Sequence, residues 1–215
     1  MCIRDSDDGG LDGGGPCRPL VAESFTGDSG PSYSTDTDQV GGLEVLINNG
    51  VRVTVGTVTG QAHFAYIKFP NLHAGDWNTA ILKVDLTLGE PGASDAAVTD
   101  TLISLTAGAK DLGLERITTL KSTFHFLGKP SAVVSIPFME RVTLTYTFAS
   151  PTGDASVAKI MVTKMGDASD EFPDPDRRHL AVAGDSGIEL KIGAFGVAAS
   201  PALSYIIHKV SLCVQ

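Results

Sequence analysis

The sequence predicts an all-β protein built as a two-sheet antiparallel sandwich. Apolar and polar residues alternate with a period of two in many segments, as where Leu82, Val84 and Leu86 alternate with Lys83 and Asp85. About a dozen such segments are separated by turns rich in glycine, proline and aspartate, and no stretch of useful length has a helical period. Because each alternating strand has one apolar face to bury, two sheets packed face to face are favoured over one open sheet.

The composition fits one folded domain and excludes some classes of partner. The chain has 215 residues, of which 42% are hydrophobic and 19% charged, so most of it can bury a core. The formal net charge of -9 argues against nucleic acid and anionic membranes, because phosphate binding needs clustered lysine and arginine. No apolar run reaches the roughly 18 residues that cross a bilayer, so no transmembrane segment is predicted.

The first sixteen residues are predicted to be a linker. Residues 7–16 consist mainly of aspartate and glycine, a composition that stays flexible because it cannot bury apolar area. We place the domain at 17–215, with its boundary near Cys17. Residues 1–6 resemble a spurious reading-frame start, so we expect any export signal to lie upstream. A tether to the cell surface, as in a lipoprotein, and a plain disordered end explain the linker equally well.

In the first half of the chain, five strands are predicted at 19–25, 43–47, 51–55, 62–69 and 80–88. Asn48-Asn49-Gly50 is predicted to be the turn of a hairpin, because these residue types tolerate positive φ. Pro70 is expected to end the fourth strand. The polar residues 26–39 are expected to form a loop.

In the second half, strands are predicted at 101–107, once or twice within 114–126, and at 132–136, 141–148 and 155–164. The acidic residues 166–178 are predicted to be a loop. The chain then ends in two strands, 188–192 and 205–214, separated by a loop that begins at Gly193. We expect this pair to close the sandwich.

Three segments resemble a known superfamily. Met139-Glu-Arg-Val-Thr-Leu-Thr-Tyr is similar to its W-H-R-V-x-L-x-Y strand, and Leu190-Lys-Ile-Gly with Tyr205-Ile-Ile-His-Lys-Val is similar to its closing L-x-x-G…Y-I-D-N-V. Glu23-Ser-Phe-Thr-Gly is similar to its opening. The chain therefore resembles the concanavalin A-like, laminin-G-like superfamily. The resemblance implies a jelly-roll sandwich whose relatives bind carbohydrate or protein, act as spacers beside an enzyme domain, or are glucanases.

The departures from that pattern bear on function. Met139-Glu140 replaces the usual Trp-His, and His208-Lys209 replaces the usual Asp-Asn. In relatives with a structural calcium ion, this acidic position helps to hold the ion, so the basic pair argues against the same site here. The E-x-D-x-x-E segment of the glucanases is absent from the sequence.

No catalytic signature stands out. Glycoside hydrolysis needs two carboxylates about 5–10 Å apart, and the strand carboxylates, which solvated faces explain, are scattered over Glu44, Asp85, Glu115 and Glu140. There is no Gly-x-Ser-x-Gly motif, and the two Gly-Asp-Ser-Gly segments are read as turns. The five histidines show no metal-ligand spacing. We therefore expect the chain not to be an enzyme.

Calcium is a candidate cofactor, because two loops are rich in aspartate. Calcium takes six to eight oxygen ligands, often from such loops. We favour the loop that contains Asp28, Asp36 and Asp38 over the one that contains Asp167, Asp170, Asp174 and Asp176. Neither matches a defined calcium motif, and solvated loops are the alternative.

A carbohydrate ligand is suggested by one loop. Trp77, the single tryptophan, is flanked by Asp76 and Asn78, and aromatic rings among polar groups are typical of sugar-binding platforms. Tyr66 and Tyr33 are weaker candidates. Alternatively, Trp77 opens the next strand and packs into the edge of the sandwich.

Two cysteines bear on location. In a jelly roll, the first and last strands commonly neighbour each other, so a disulfide between Cys17 and Cys213 is one interpretation, and it would favour an extracellular protein. Free thiols are the alternative, because cysteine connectivity cannot be read from sequence.

Together these observations favour a non-catalytic binding module, secreted or at the cell surface, with a glycan as ligand. A structural or adhesion domain that binds a cell-surface protein is the main alternative. A degenerate glycoside hydrolase is the third.

Overall fold

The computed structural model describes most of the predicted domain. The described residues are 17–25, 33–38, 41–46, 50–57, 62–90, 97–107, 110–118, 120–164, 169–175, 179–180, 187–198 and 201–215. The predicted linker at 1–16 lies outside them, so the domain boundary near Cys17 stays a prediction. The turn residues Asn48 and Asn49 lie outside them as well.

Strands make up nearly all of the regular structure. In chain order they are β1 (Arg18–Glu23), β2 (Ser34–Thr37), β3 (Gly41–Leu46), β4 (Gly50–Val55), β5 (His63–Leu72), β6 (Thr79–Leu88), β7 (Val98–Ala107), β8 (Lys110–Thr118), β9 (Thr123–Phe126), β10 (Lys129–Ser135), β11 (Arg141–Ala149), β12 (Lys159–Lys164), β13 (Asp170–Pro173), β14 (Ile188–Ala198) and β15 (Leu203–Val214). A single turn of 3-10 helix, Ala155–Val157, precedes β12.

The strands form two antiparallel sheets, which confirms the predicted fold class. The first sheet has the order β13-β12-β11-β6-β15-β4-β3, and β1 also pairs with β15. The second has the order β10-β9-β8-β7-β14-β5-β2. Neighbouring strands run antiparallel throughout these ladders.

The core lies between the sheets, where the inward positions of each strand are apolar. On β6, the alternate residues Leu82, Val84, Leu86 and Leu88 are completely buried. β11 pairs with β6 along its whole length and buries Phe148 in the same core. The period-two pattern therefore identified these two strands and their inner faces correctly.

The last two strands do not form the expected pair. β14 lies in the second sheet between β7 and β5, whereas β15 lies in the first sheet between β6 and β4. Residues near Gly193 belong to β14, which runs on to Ala198. The two strands therefore belong to different sheets, and each lies between two other strands. Local sequence did not reveal this, because the partners of both strands are distant in the chain.

Short strands at the sheet edges were also missed. β2 and β13 occupy segments that were predicted to be polar loops, because an edge strand with exposed side chains has no apolar alternation. Pro70 does not end β5. It lies between the pairs Phe69–Leu190 and Leu72–Ile188, where the register shifts, and a proline fits such an irregularity because it has no N–H to donate.

A disulfide joins the two ends of the domain. Cys17 and Cys213 are bonded, with their Cα atoms 5.6 Å apart. β1 runs beside the end of β15, with Pro19 opposite Cys213. The bond therefore fastens the first strand to the last one within the same sheet.

A polar cluster is buried between the sheets. Arg116 on β8 donates to the Asp100 carboxylate at 2.8 Å and to the Lys121 carbonyl at 2.6 Å. The Tyr205 hydroxyl on β15 also donates to Asp100 and accepts from Arg116. Burial, and then the negative charge of Asp100, raise the pKa of Tyr205 well above its usual range. The Arg116 guanidinium also lies 4.8 Å from the ring centre of Phe124.

Replacing Arg116 by methionine should strongly destabilise the fold. Arg116→Met keeps most of the side-chain volume but leaves the buried Asp100 carboxylate without its cation, so we expect a loss of about 3–5 kcal/mol of unfolding free energy. Urea denaturation measures it. The control is Arg141→Met, whose ion pair with Asp85 is half exposed and should contribute about 0–1 kcal/mol. Equal small losses in both variants would contradict the structural role of the cluster.

Removing the disulfide should also destabilise the fold. The bond closes a loop with a sequence separation of 196 residues, so Cys17→Ser with Cys213→Ser should cost about 2–5 kcal/mol, mainly through the unfolded state. Thermal denaturation with and without reductant compares the wild type with this double variant. A melting temperature of the wild type that reductant leaves unchanged would show that the bond is absent or contributes nothing.

Candidate functional site

The second sheet carries an aromatic and charged cluster on the face turned away from the first sheet. Along β5, Ala65, Ile67 and Phe69 point into the core and are buried, so the intervening residues point outward. We define the Tyr66 surface by the outward side chains of β2, β5 and β14 that meet there, namely Asp36, Phe64, Tyr66, Lys68, Glu189, Lys191 and Phe195.

Three half-buried aromatic rings form the centre of this surface. The ring centre of Tyr66 lies 5.6 Å from that of Phe64 and 5.6 Å from that of Phe195, the second pair edge to face. The Nζ atom of Lys191 lies 5.4 Å from the Tyr66 ring centre. Such a cluster offers apolar C–H and ring area on a face that would otherwise be polar.

Two lysines share one carboxylate beside the rings. Glu189 contacts Lys68 at 2.6 Å and Lys191 at 2.9 Å. Burial alone would raise the pKa of Glu189, but the hydrogen bonds from Lys68 and Lys191 outweigh it and lower that pKa. Each of these side chains keeps 27–32% of its surface exposed, so the charges are held in place and remain accessible to a ligand.

The hydroxyl of Tyr66 is held by Asp36, which lies opposite it on β2. The hydroxyl donates to the Asp36 carboxylate at 2.9 Å. Burial, together with this hydrogen bond and the negative charge of Asp36, raises the pKa of Tyr66 to about 12. At neutral pH, Tyr66 is therefore a neutral phenol with a fixed orientation.

A glycine allows β14 to pair closely with β5 next to Tyr66. Gly193 lies opposite Tyr66 on β14 and has a φ of 149°, a conformation that favours glycine. A Cβ at this position would lie 2.5 Å from the Ala65 carbonyl oxygen and 2.7 Å from the Tyr66 Cα. A larger residue would therefore displace β5 and the ring it carries.

Polar residues extend the same face toward β9. Thr101 lies opposite Phe195 on one side and Glu115 on the other, and Glu115 lies opposite His125. Glu115 accepts a hydrogen bond from the Gly128 backbone at 2.6 Å. The Nδ1 atom of His125 is buried and has no hydrogen-bond partner among the described residues. Sequence reasoning missed this row, because strand register and not local spacing brings it together.

The predicted loop residues lie elsewhere, at one end of the sandwich. Asp76, Trp77 and Asn78 line a cleft of about 570 Å³, which we term the Trp77 cleft. Its lining is completed by the chain end and by the turn after β11: Gly75, Ser150, Pro151, Thr152 and Gln215. Tyr66, the remaining predicted ligand residue, is not part of it.

Trp77 is not an exposed platform. The residue is only 8% exposed, and its ring packs edge to face on Phe148 at 5.9 Å. The ring therefore packs at the edge of the sandwich, which was the alternative to the platform. Its neighbours Asp76 and Asn78 are exposed.

Two of the aspartates predicted to bind calcium, Asp36 and Asp38, hold other groups in the structure. Asp36 holds Tyr66, and Asp38 contacts the His63 ring at 2.7 Å and accepts from the backbone of Gly41 and Phe64. The described residues contain no group of three or more side chains that could hold a metal ion. Of the other predicted ligands, Asp170 is exposed and Asp174 buried, while Asp28, Asp167 and Asp176 lie outside the described residues.

Comparisons with solved structures show which proteins share this fold. The chain is similar to a Bauhinia forficata lectin in complex with GalNAc (TM-score 0.60, 10% identity, covering 91% of this chain and 98% of the lectin). It is also similar to peanut lectin (0.56, 9%, 94% and 98%) and to a PL-14 alginate lyase from Aplysia kurodai (0.53, 9%, 85% and 90%). The chain shares the two-sheet sandwich fold of these lectins and of this lyase. Neither a family model nor a curated protein matches its sequence.

The expectation that the chain is not an enzyme is wrong. It rested on the absence of hydrolase motifs, yet a polysaccharide lyase shares this fold. An elimination needs a base and an acid, and it does not require the paired carboxylates of glycoside hydrolysis. The missing motifs therefore do not exclude catalysis.

None of the described helical segments is long and apolar enough to span a membrane.

The raised pKa of Tyr66 can be tested directly. A raised folded-state pKa stabilises the fold below the ordinary pKa of about 10, and this contribution is lost as the pH rises toward about 12. We expect the phenolate absorbance that distinguishes wild type from Tyr66→Phe to appear only above about pH 10. In Asp36→Asn it should appear at lower pH, because the negative neighbour is gone. An identical titration in both backgrounds would show that Asp36 does not act on Tyr66.

Proposed function

We propose that this chain is a carbohydrate-recognition domain that binds a neutral oligosaccharide on the Tyr66 surface. The observation that carries the proposal is the cluster of three half-buried rings, Phe64, Tyr66 and Phe195, beside an ordered set of charged groups. The lectins of the same fold support the proposal at the level of fold.

The chemistry of the surface suits a sugar. Aromatic rings pack against the C–H groups of a pyranose, while fixed polar groups bond its hydroxyls. Lys68 and Lys191 supply donors, whereas Asp36 and Glu189 supply acceptors. These groups are already held by one another, so little side-chain freedom is lost when a ligand binds.

The charges favour a neutral ligand. The two lysines and the two carboxylates of the Tyr66 surface balance each other, and the whole chain has a net charge of -9. A long anionic polymer would therefore meet repulsion from most of the protein without a basic surface to receive it.

The disulfide supports a secreted or cell-surface location. Cys17 and Cys213 are bonded, and such bonds persist in oxidising compartments outside the cytosol. Glycans are abundant ligands there, so location and ligand are consistent.

Binding is tested on a glycan array that contains neutral and uronic-acid oligosaccharides, with the full chain as probe. We expect neutral oligosaccharides to bind, and Tyr66→Ala and Lys191→Met each to weaken binding about tenfold or more, because each removes a central contact. Lys83→Met is the matched control. Lys83 lies on β6 in the other sheet, so its loss should leave binding unchanged.

The outcomes separate the alternatives. No binding by the wild type, or equal effects of Lys191→Met and Lys83→Met, would overturn the proposal. A preference for uronic-acid chains would contradict the proposal that the ligand is neutral, but not the proposal that it binds on the Tyr66 surface. The same incubations are assayed for new reducing ends and for unsaturated products, because their appearance would identify the surface as an active site.

A further inference from the structure

The Trp77 cleft is a preformed cavity separate from the Tyr66 surface. It lies between the loop that precedes β6 and the turn that follows β11. Its volume of about 570 Å³ is within the range of small-molecule sites, roughly 300–1,000 Å³. It has the size to hold one or two sugar rings.

Backbone hydrogen bonds fix the walls of the cleft. Asn78 donates to the Gln215 carbonyl at 2.7 Å and accepts from the Ser150 backbone at 2.9 Å. Gly153 closes the turn by donating to the Ser150 carbonyl at 3.0 Å. A Cβ at Gly153 would lie 2.1 Å from the Asn78 carbonyl oxygen, so the turn and the loop are in close contact. The cleft therefore needs little rearrangement to receive a ligand.

The indole N–H of the tryptophan has no hydrogen-bond partner in the described part of the chain. Trp77 is 8% exposed, yet no group in the described part of the chain accepts a hydrogen bond from its indole N–H. Trp77 lines the cleft, and the proposal below places its indole N–H toward the cleft. Because nearly all buried polar groups in proteins have a partner, a nearly buried donor without one in the protein is open to a ligand or to water.

The other polar groups around the cleft complement this donor. The Asp76 carboxylate and the Asn78 amide are exposed, and their side chains have no hydrogen bond within the described residues. The hydroxyls of Ser150 and Thr152 lie 3.2 Å apart. The eight lining residues include no lysine, arginine or histidine. The lining thus offers donors and acceptors together with the negative charge of Asp76. The Arg18 guanidinium lies beside the lining residue Gly75, 3.6 Å from where a Cβ of that residue would be, and donates to the Ala74 carbonyl.

We propose that the Trp77 cleft is a second binding site, for a neutral polyhydroxylated ligand of one or two rings such as a monosaccharide. A sugar hydroxyl accepts from the indole N–H, and another donates to the Asp76 carboxylate. The Asn78 amide and the hydroxyl pair do both. A neutral ligand is favoured over carboxylates and phosphates, because Asp76 repels anions and balances the charge of the neighbouring Arg18. The site does not depend on the function proposed for the Tyr66 surface.

The test uses Trp77 as its own reporter, because the chain contains a single tryptophan. Its fluorescence is titrated with glucose, galactose, mannose and N-acetylglucosamine, and with glucuronate and galacturonate as anionic counterparts. We expect a saturable change with at least one neutral sugar and none with its uronate. Asp76→Asn should weaken this binding about tenfold or more, because it removes a charged acceptor. Asp170→Asn, which removes an exposed carboxylate on β13, should leave it unchanged.

A second variant isolates the indole donor. Trp77→Phe keeps an aromatic side chain against Phe148 but removes the N–H, so its binding is measured by calorimetry after its melting temperature has been compared with that of the wild type. We expect a folded protein with about tenfold weaker binding. The proposal fails if no neutral sugar changes the fluorescence of the wild type, if the uronates bind as well, or if Asp76→Asn and Asp170→Asn behave alike. Tyr66→Ala should leave the fluorescence titration intact, so that failure at one site is distinguished from failure at the other.

Discussion

The fold depends on the contact among Asp100, Arg116 and Tyr205 between the sheets. A charge with no access to water is tolerated only where partners replace the lost hydration. Here the partners come from β7 and β8 of one sheet and from β15 of the other. Apolar burial has no direction, whereas hydrogen bonds do. The bonds of this cluster therefore favour one position of the first sheet over the second.

The position of the sheets in turn sets the Tyr66 surface. β14 pairs with β7, which carries Asp100, and with β5, which carries Tyr66. A shift of one residue along either ladder would exchange inward and outward faces, so that Lys191 would point into the core. The same strand pairing therefore places the buried cluster on the inner side of the second sheet and the Tyr66 surface on its outer side. We therefore expect Arg116, although it is buried in the core, to support the geometry of the rings and of the shared carboxylate.

The sequence predicted what local pattern controls. Alternation identified β6 and β11 together with their buried faces. It failed for β2 and β13, whose exposed side chains have no apolar face, and for the destination of β14 and β15, which depends on distant partners. The Tyr66 surface was missed for the same reason. Tyr66 was singled out as an aromatic residue, but Asp36 and Lys191 join it only through strand pairing, which leaves no spacing in the sequence.

The two proposed sites would use different parts of an aromatic residue to bind a ligand. The loop around Trp77 has the composition of a sugar platform, and composition correctly indicated polar surroundings, but it carries no information on which part of the residue faces outward. Trp77 packs its ring against Phe148, and in our proposal its N–H faces the cleft. Tyr66 donates its hydroxyl to Asp36, and its half-buried ring lies on the sheet surface. In the two proposals, the residue at the cleft therefore offers a hydrogen bond and the residue on the sheet offers an apolar surface. This difference suits a single sugar held by its hydroxyls at the first site and a longer chain packed along its rings at the second.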